Sequence, residues 1–148
     1  MDLSDFDYDE DNFAKDLHKA QTGFQKAKEH FFDLVEHWQQ LTEARFSSYL
    51  RISGESVSNK ASGDVLGKPF TLHLSQICKG DHGLAVVLLS LTDNVKGTSL
   101  ELDRFYINVS GDVVTEEGKV LLDSRDDKAS IRLFYAILRR ILKADPWG

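Results

Sequence analysis

The strongest pattern in the chain is a run of apolar residues spaced three and four apart: Leu17, Ala20, Phe24, Ala27, Phe31, Leu34, Trp38 and Leu41. That spacing aligns side chains on one face of an α-helix. It predicts one long helix over residues 12–46. The seam starts narrow, as in a coiled coil. From Phe31 onward Phe32, Val35 and Phe46 widen it into a stripe suited to packing on a sheet. An unbroken helix of this length reaches about 50 Å at 1.5 Å per residue, longer than a domain of this size is wide. Its first half is therefore expected to project, or to pack on another subunit. Gly23 is where the helix would bend or break, since glycine costs about 1 kcal/mol relative to alanine inside a helix.

Beyond residue 48 the period shortens to two, and Gly, Pro, Asn and Asp punctuate the chain. Strands are expected over residues 49–53, with 56–59 as a bent continuation or partner, then 70–78, 84–92 and 98–109. A short pair follows over 113–115 and 119–122. Residues 60–69, with Gly63, Gly67 and Pro69, read as a loop. A final helix over residues 126–143 carries Ile131, Phe134, Ile137, Leu138, Ile141 and Leu142 on one face, with Ser124 or Asp126 as its cap. The fold class is α+β: a long N-terminal helix, an antiparallel β-meander of about five strands and a C-terminal helix, with both helices packed on one face of the sheet.

Two departures from simple alternation bear on function. Residues 84–91 are apolar on both faces, whereas a one-sided antiparallel strand alternates apolar with polar. This strand is expected to be central and covered on both sides, by a second subunit, a partner, a ligand or loops of the same chain. In the next strand Leu100 and Leu102 share one face, but Phe105, Ile107 and Val109 share the other. A β-bulge near residues 103–104 would restore one apolar face. The surplus apolar surface points to a homodimer, formed through the open sheet face or the long helix.

Composition changes this picture in one place. The 148 residues are 41% hydrophobic and 28% charged, ordinary values for a single folded domain. The net charge of −6 belongs to residues 1–11, which hold Asp2, Asp5, Asp7, Asp9, Glu10 and Asp11 and no Lys or Arg. Taking those six from the 24 acidic residues leaves 18, against 18 Lys and Arg. Residues 1–11 therefore read as a disordered acidic leader and 12–148 as a single α+β domain. Phe6, Tyr8 and Phe13 lie among the acids, as in a short segment that docks on a basic, apolar surface. The longest apolar run, residues 84–89, is far short of the ~20 residues of a membrane span. No apolar signal core is evident near residue 1, and the one cysteine, Cys78, allows no internal disulfide. A cytoplasmic location and no membrane partner are expected.

Candidate chemistry is sparse. Asp5, Asp7, Asp9 and Asp11 imitate the start of a calcium loop, but Glu10 replaces its turn glycine and Asp16 its bidentate Glu. Residues 62–69 imitate a phosphate loop one residue too short. His30, Asp33 and His37 lie within two helical turns, but the histidines are seven apart rather than the four usual for metal ligands; a solvated helix face is expected. Cys78 reads as a buried small residue. Glu101 and Asp103 share one face of a strand in the expected register and would be exposed acids. Arg132, Arg139, Arg140 and Lys143 beside Tyr135 form a basic stripe on a domain without basic excess, which argues against nucleic acid. No catalytic residue, cofactor or metal site is assigned, and no motif identifies a family.

The leading expectation is a non-enzymatic protein-interaction module, an adaptor, chaperone-like or inhibitor protein. Its partner would be another protein or a second copy, engaged through Phe6, Tyr8, Phe24, Phe31, Trp38 and Trp147. The competing expectation for these aromatics is plain core. The alternative function is a small-ligand-binding domain with a pocket between helix and sheet, where His73, Arg104 and Tyr106 supply polar contacts.

Overall fold

The computed structural model describes residues 1–7, 9–79, 82–93 and 95–145. The apolar stripe folds as one uninterrupted helix, α1 (Glu10–Leu41), followed by a π-helical turn, Thr42–Phe46. The helix starts two residues earlier than its apolar period suggests. Asp9 caps it, its Oδ1 accepting from the backbone N–H of Asp11 and Asn12 at 3.1 and 3.4 Å. Glu10 and Asp11 then occupy the first turn, where the helix dipole favours negative charge. Before it, Leu3–Phe6 forms a single 3-10 turn.

Gly23 does not break the helix. It lies where α1 meets the sheet: a Cβ there would stand 3.1 Å from the carbonyl oxygen of Gly83. Conversely, a Cβ on Gly83 would fall 2.7 Å from the carbonyl oxygen of Ala20. The two glycines let helix and strand backbones approach without side chains between them.

The sheet is a seven-stranded meander, every strand hydrogen-bonded to its sequence neighbours and all pairs antiparallel. Its strands are β1 (Leu50–Glu55), β2 (Lys60–Val65), β3 (Lys68–Lys79), β4 (His82–Asp93), β5 (Thr98–Ile107), β6 (Val113–Val114) and β7 (Val120–Leu122). The number exceeds five because residues 60–65, expected as loop, form β2, while the short pair expected over 113–115 and 119–122 is present as β6 and β7. Residues 56–58 form a 3-10 turn rather than a strand. β2 and β3 join through Leu66 and Gly67, both at positive φ (49° and 82°), the backbone of a two-residue hairpin turn whose twist matches its strands.

The bulge exists, one residue earlier than the pattern suggests. Leu89 pairs with Asp103 and Ser90 with Glu101, which leaves Leu102 as the extra residue. Leu100 thereby joins Phe105 and Ile107 on the face paired with Leu91, Val87 and Ala85.

That face carries both helices. The last helix, α2 (Ala129–Lys143), lays Leu133, Phe134, Ile137, Leu138 and Ile141 into the core with Phe31, Val35 and Trp38 of α1. The Trp38 indole stacks on Phe134 with centroids 5.1 Å apart, and Phe31 meets Trp38 edge-on at 6.3 Å. Lys68 Nζ, from the start of β3, donates to the carbonyls of Ile141, Leu142 and Ala144 at 3.4, 3.3 and 2.9 Å. It closes the C-terminus of α2, where free carbonyls and the dipole both favour a cation.

The other face of β4 is partly covered by the chain itself. Leu84 and Tyr106 are only 7% exposed there, and Val86 and Leu88 are half-buried. Leu84 shares a cavity of about 360 Å³ with Val114, Glu116 and Gly118, so the β6–β7 hairpin shields that end. Farther along, this face is polar, with Ser53, Ser62, Thr71, Ser90 and Glu101 in register across β1 to β5.

Candidate functional site

Three regions compete, and the first is the free end of α1. Every residue from 11 to 19, and Glu10 before them, is exposed, and the stripe becomes buried only at Gly23. Phe13 and Leu17 are 59% and 55% exposed. At 100° per residue they lie on the same face as Ala20 and Phe24, and on the same face as buried Ala27, Phe31 and Trp38. The stripe thus continues about 15 Å past the edge of the sheet. Met1, Leu3 and Phe6 are also exposed, so five of the fifteen large exposed hydrophobics among the described residues fall within residues 1–17. The acids cluster at the same end.

The second region is a cavity of about 340 Å³ between α1, the strands β6 and β7, and the start of α2. His30, Asp33 and His37 line it from α1, and Ser124, Asp126, Asp127 and Ser130 from the other side. The solvated face expected from spacing is therefore the wall of an inter-helix cleft. His30 Nε2 lies 3.1 Å from the Val109 carbonyl oxygen, to which it donates. His37 Nδ1 lies 2.6 Å from Ser130 Oγ, which also accepts from the Trp38 indole N–H at 3.1 Å. This resembles half of a nucleophile–base pair. Among the described residues no carboxylate bonds the second nitrogen of His37, and no three-residue relay is assembled. What the contacts do is fasten α1 to α2. The rim is tied in the same way: Asp112 accepts from the Ser124 N–H at 2.7 Å, a bond that holds its carboxyl below the usual 3.8. Arg125 holds Asp123 down to about 2 through its hydrogen bond.

The third region is the polar sheet face. His73 pairs with Leu88, and Leu88 with Arg104, so the two polar side chains flank one leucine across three strands. Tyr106 lies in the next row on the same face, opposite Val86. This is the face away from the helices, so His73 and Tyr106 do not line a space between helix and sheet. Arg104 is committed to Glu101, which accepts from Nε and Nη2 at 2.9 and 2.6 Å and raises the guanidinium pKa. It also borders a groove of about 450 Å³ between β5, β7 and α2.

The remaining residues sort as follows. Phe6 is exposed and Phe24 half-buried. Phe31 and Trp38 are fully buried within the chain; for these two the core reading holds, since both lie in the cluster that α1, α2 and the sheet enclose. Tyr8 and Trp147 lie outside the described residues. Glu101 and Asp103 do not share a face, because the bulge at Leu102 separates them; Asp103 turns to Arg140 of α2 at 3.3 Å. Arg132 pairs with Asp126 at 3.2 Å, so two arginines of the basic stripe already face acids. Cys78 is exposed rather than buried, because it sits near the hairpin end, beyond the packed part of β3. Among the described residues no group of three or more His, Cys, Asp or Glu is placed to hold a metal ion. No described helix is long and apolar enough to cross a membrane.

Comparison with protein-family models, with curated proteins and with solved structures finds no match to this chain.

Proposed function

We propose that this chain is a non-enzymatic protein-interaction module whose binding element is the free N-terminal end of α1. One observation carries the reading: residues 10–19 are exposed around the whole helix, yet carry Phe13 and Leu17 on a single stripe. Apolar side chains at i and i+4 on a helix end with no cover of its own suit helix-in-groove recognition. The acids at positions 2, 5, 7, 9, 10 and 11 select a partner surface that is basic around an apolar groove, and steer it into contact. Phe6 extends the apolar part, while Phe24 forms the boundary between arm and body. The exposed thiol of Cys78 suits the reducing cytoplasm, where we place this binding.

The test is comparative capture. Tagged wild type and a tagged Phe13→Glu/Leu17→Glu variant are incubated with the same lysate, to which untagged chain has been added. The reading expects at least one protein, the chain itself included, to be retained by the wild type and lost by the variant. Equal retention by both overturns it.

A second reading, small-ligand binding, draws support from the cavity beside His30 and His37. Its carboxylates Asp33 and Asp127 make no hydrogen bond or ion pair among the described residues, and a small polar cation would satisfy them. Shifts of the His30 and His37 ring resonances on titration with simple amines would favour it.

A further inference from the structure

We propose that the groove between β5, β7 and α2 binds an amphipathic carboxylate, an unbranched apolar chain of medium length that ends in a carboxyl group. The site is separate from the arm of α1, and the proposal stands whether or not that arm engages a partner.

Shape is the first reason. The groove has a volume of about 450 Å³, within the range of small-molecule sites. Leu89, Val113, Leu133 and Ile137 line it, although each is at most 6% exposed, so its floor reaches the core. Phe105 and Leu122 are half-buried, and of the described apolar lining only Leu121 and Ala136 are exposed. A docking face for another protein displays a broad exposed apolar patch. This surface is instead recessed, and a flexible apolar chain fits it.

Charge is the second reason. Arg132 and Arg140 stand eight residues apart in the chain, about 12 Å along the axis of α2. Leu133, Ala136 and Ile137 line the groove between them. Each arginine spends only part of its guanidinium on an acid. Arg132 donates to Asp126 through Nη1, which leaves the edge formed by Nε and Nη2. Arg140 meets Asp103 through Nε, which leaves both Nη groups. Either edge fits a carboxylate through two parallel hydrogen bonds. A carboxyl group at either end of a chain lying in the groove therefore meets a guanidinium with donors to spare. Arg104 is a wall rather than an anchor, since Glu101 takes its Nε and Nη2.

The surroundings agree in sign. Asp103 is the one acid among the described lining residues. Residues 128–143 hold five Lys and Arg and no Asp or Glu. An anion is drawn to this side of the molecule, and a cation of the same shape is not.

The test is titration of the whole chain with decanoate, below the concentration at which it forms micelles, read by methyl resonances. Saturable shifts are expected at Leu121, Leu133 and Ile137, with Leu3 and Leu17 unmoved. Arg132→Gln/Arg140→Gln is expected to weaken binding at least about tenfold. Ala136→Phe fills the groove without removing a charge and is expected to abolish binding; thermal melting checks that both variants remain folded. Decylamine, the same chain with the opposite charge, is expected to leave these resonances unmoved. Phe13→Glu/Leu17→Glu is expected to bind decanoate as the wild type does, which separates this site from the arm. Absence of saturable shifts overturns the proposal. So do equal affinity for decylamine, undiminished binding by the folded variants, and shifts spread over exposed apolar residues elsewhere. Shifts produced by an acidic, apolar peptide but not by decanoate would give the groove to a protein partner and overturn it equally.

Discussion

The two halves of α1 carry one stripe in two environments. In the C-terminal half, Phe31, Val35 and Trp38 are buried under the sheet and α2. In the N-terminal half, Phe13 and Leu17 lie on the same face and stand in solvent. Sequence period alone does not separate them, since both obey the three-four spacing. What separates them is where the sheet stops. The glycine contact between Gly23 and Gly83 marks that edge. On one side of it apolar spacing means core, and on the other it leaves Phe13 and Leu17 in solvent.

The contrast can be broken from the buried side first. Trp38→Ala removes the ring that stacks on Phe134 and the indole N–H that donates to the Ser130 carbonyl and hydroxyl oxygens at 3.0 and 3.1 Å, and is expected to cost about 3–5 kcal/mol in denaturant unfolding. Gly83→Ala forces a methyl to within 2.7 Å of the Ala20 carbonyl oxygen; α1 must lift at its edge, at about 2 kcal/mol by the same measurement. Lys68→Met keeps the aliphatic stem and removes the cation over the end of α2. About 1 kcal/mol should be lost, with faster amide exchange confined to the last turn of α2. The Asp112 contribution is smaller and depends on pH. Its carboxyl pKa is lowered on folding, so its bonds favour the fold above the ordinary value of 3.8 and are lost as pH falls through the folded value. Between about pH 5 and pH 3 the denaturation midpoint should drop by less in Asp112→Asn than in wild type. On the exposed side, Phe13→Ser and Leu17→Ser in dilute solution should each move the stability of the fold by less than about 0.5 kcal/mol. A larger loss would mean the arm folds back on its own body.

Much of this architecture is legible in the residues. The wide stripe after Phe31 implies a sheet beneath it. The phase slip between Leu102 and Phe105 implies a bulge, and it exists, with Leu102 as the extra residue. The two-sided strand at residues 84–91 implies a central β4, and it has three neighbouring strands on either side. β2 is not legible, because Lys60, Ser62, Gly63 and Asp64 are poor strand formers. Tertiary context overrides that preference: a Cβ at residue 63 would lie 1.9 Å from the Arg51 carbonyl oxygen, so the glycine that looks like a loop signal is the one residue that fits beside β1. The cavity is not legible either. His37 and Ser130 are 93 positions apart in the chain, and no local pattern announces that α2 will arrive there. The free arm is legible only in part: its length argues for projection, but the point where cover ends depends on the Gly23–Gly83 contact.

The stacking of Trp38 on Phe134 has a consequence for the making of the protein. α1 is synthesised first and α2 last of these elements, and the meander between them can form hairpin by hairpin, each strand finding its neighbour as it emerges. The floor of the core stays open until α2 leaves the ribosome and Phe134 reaches the indole. Through most of translation the Trp38 indole therefore lacks its cover, and an unfinished core of this kind is more open to aggregation than the completed fold.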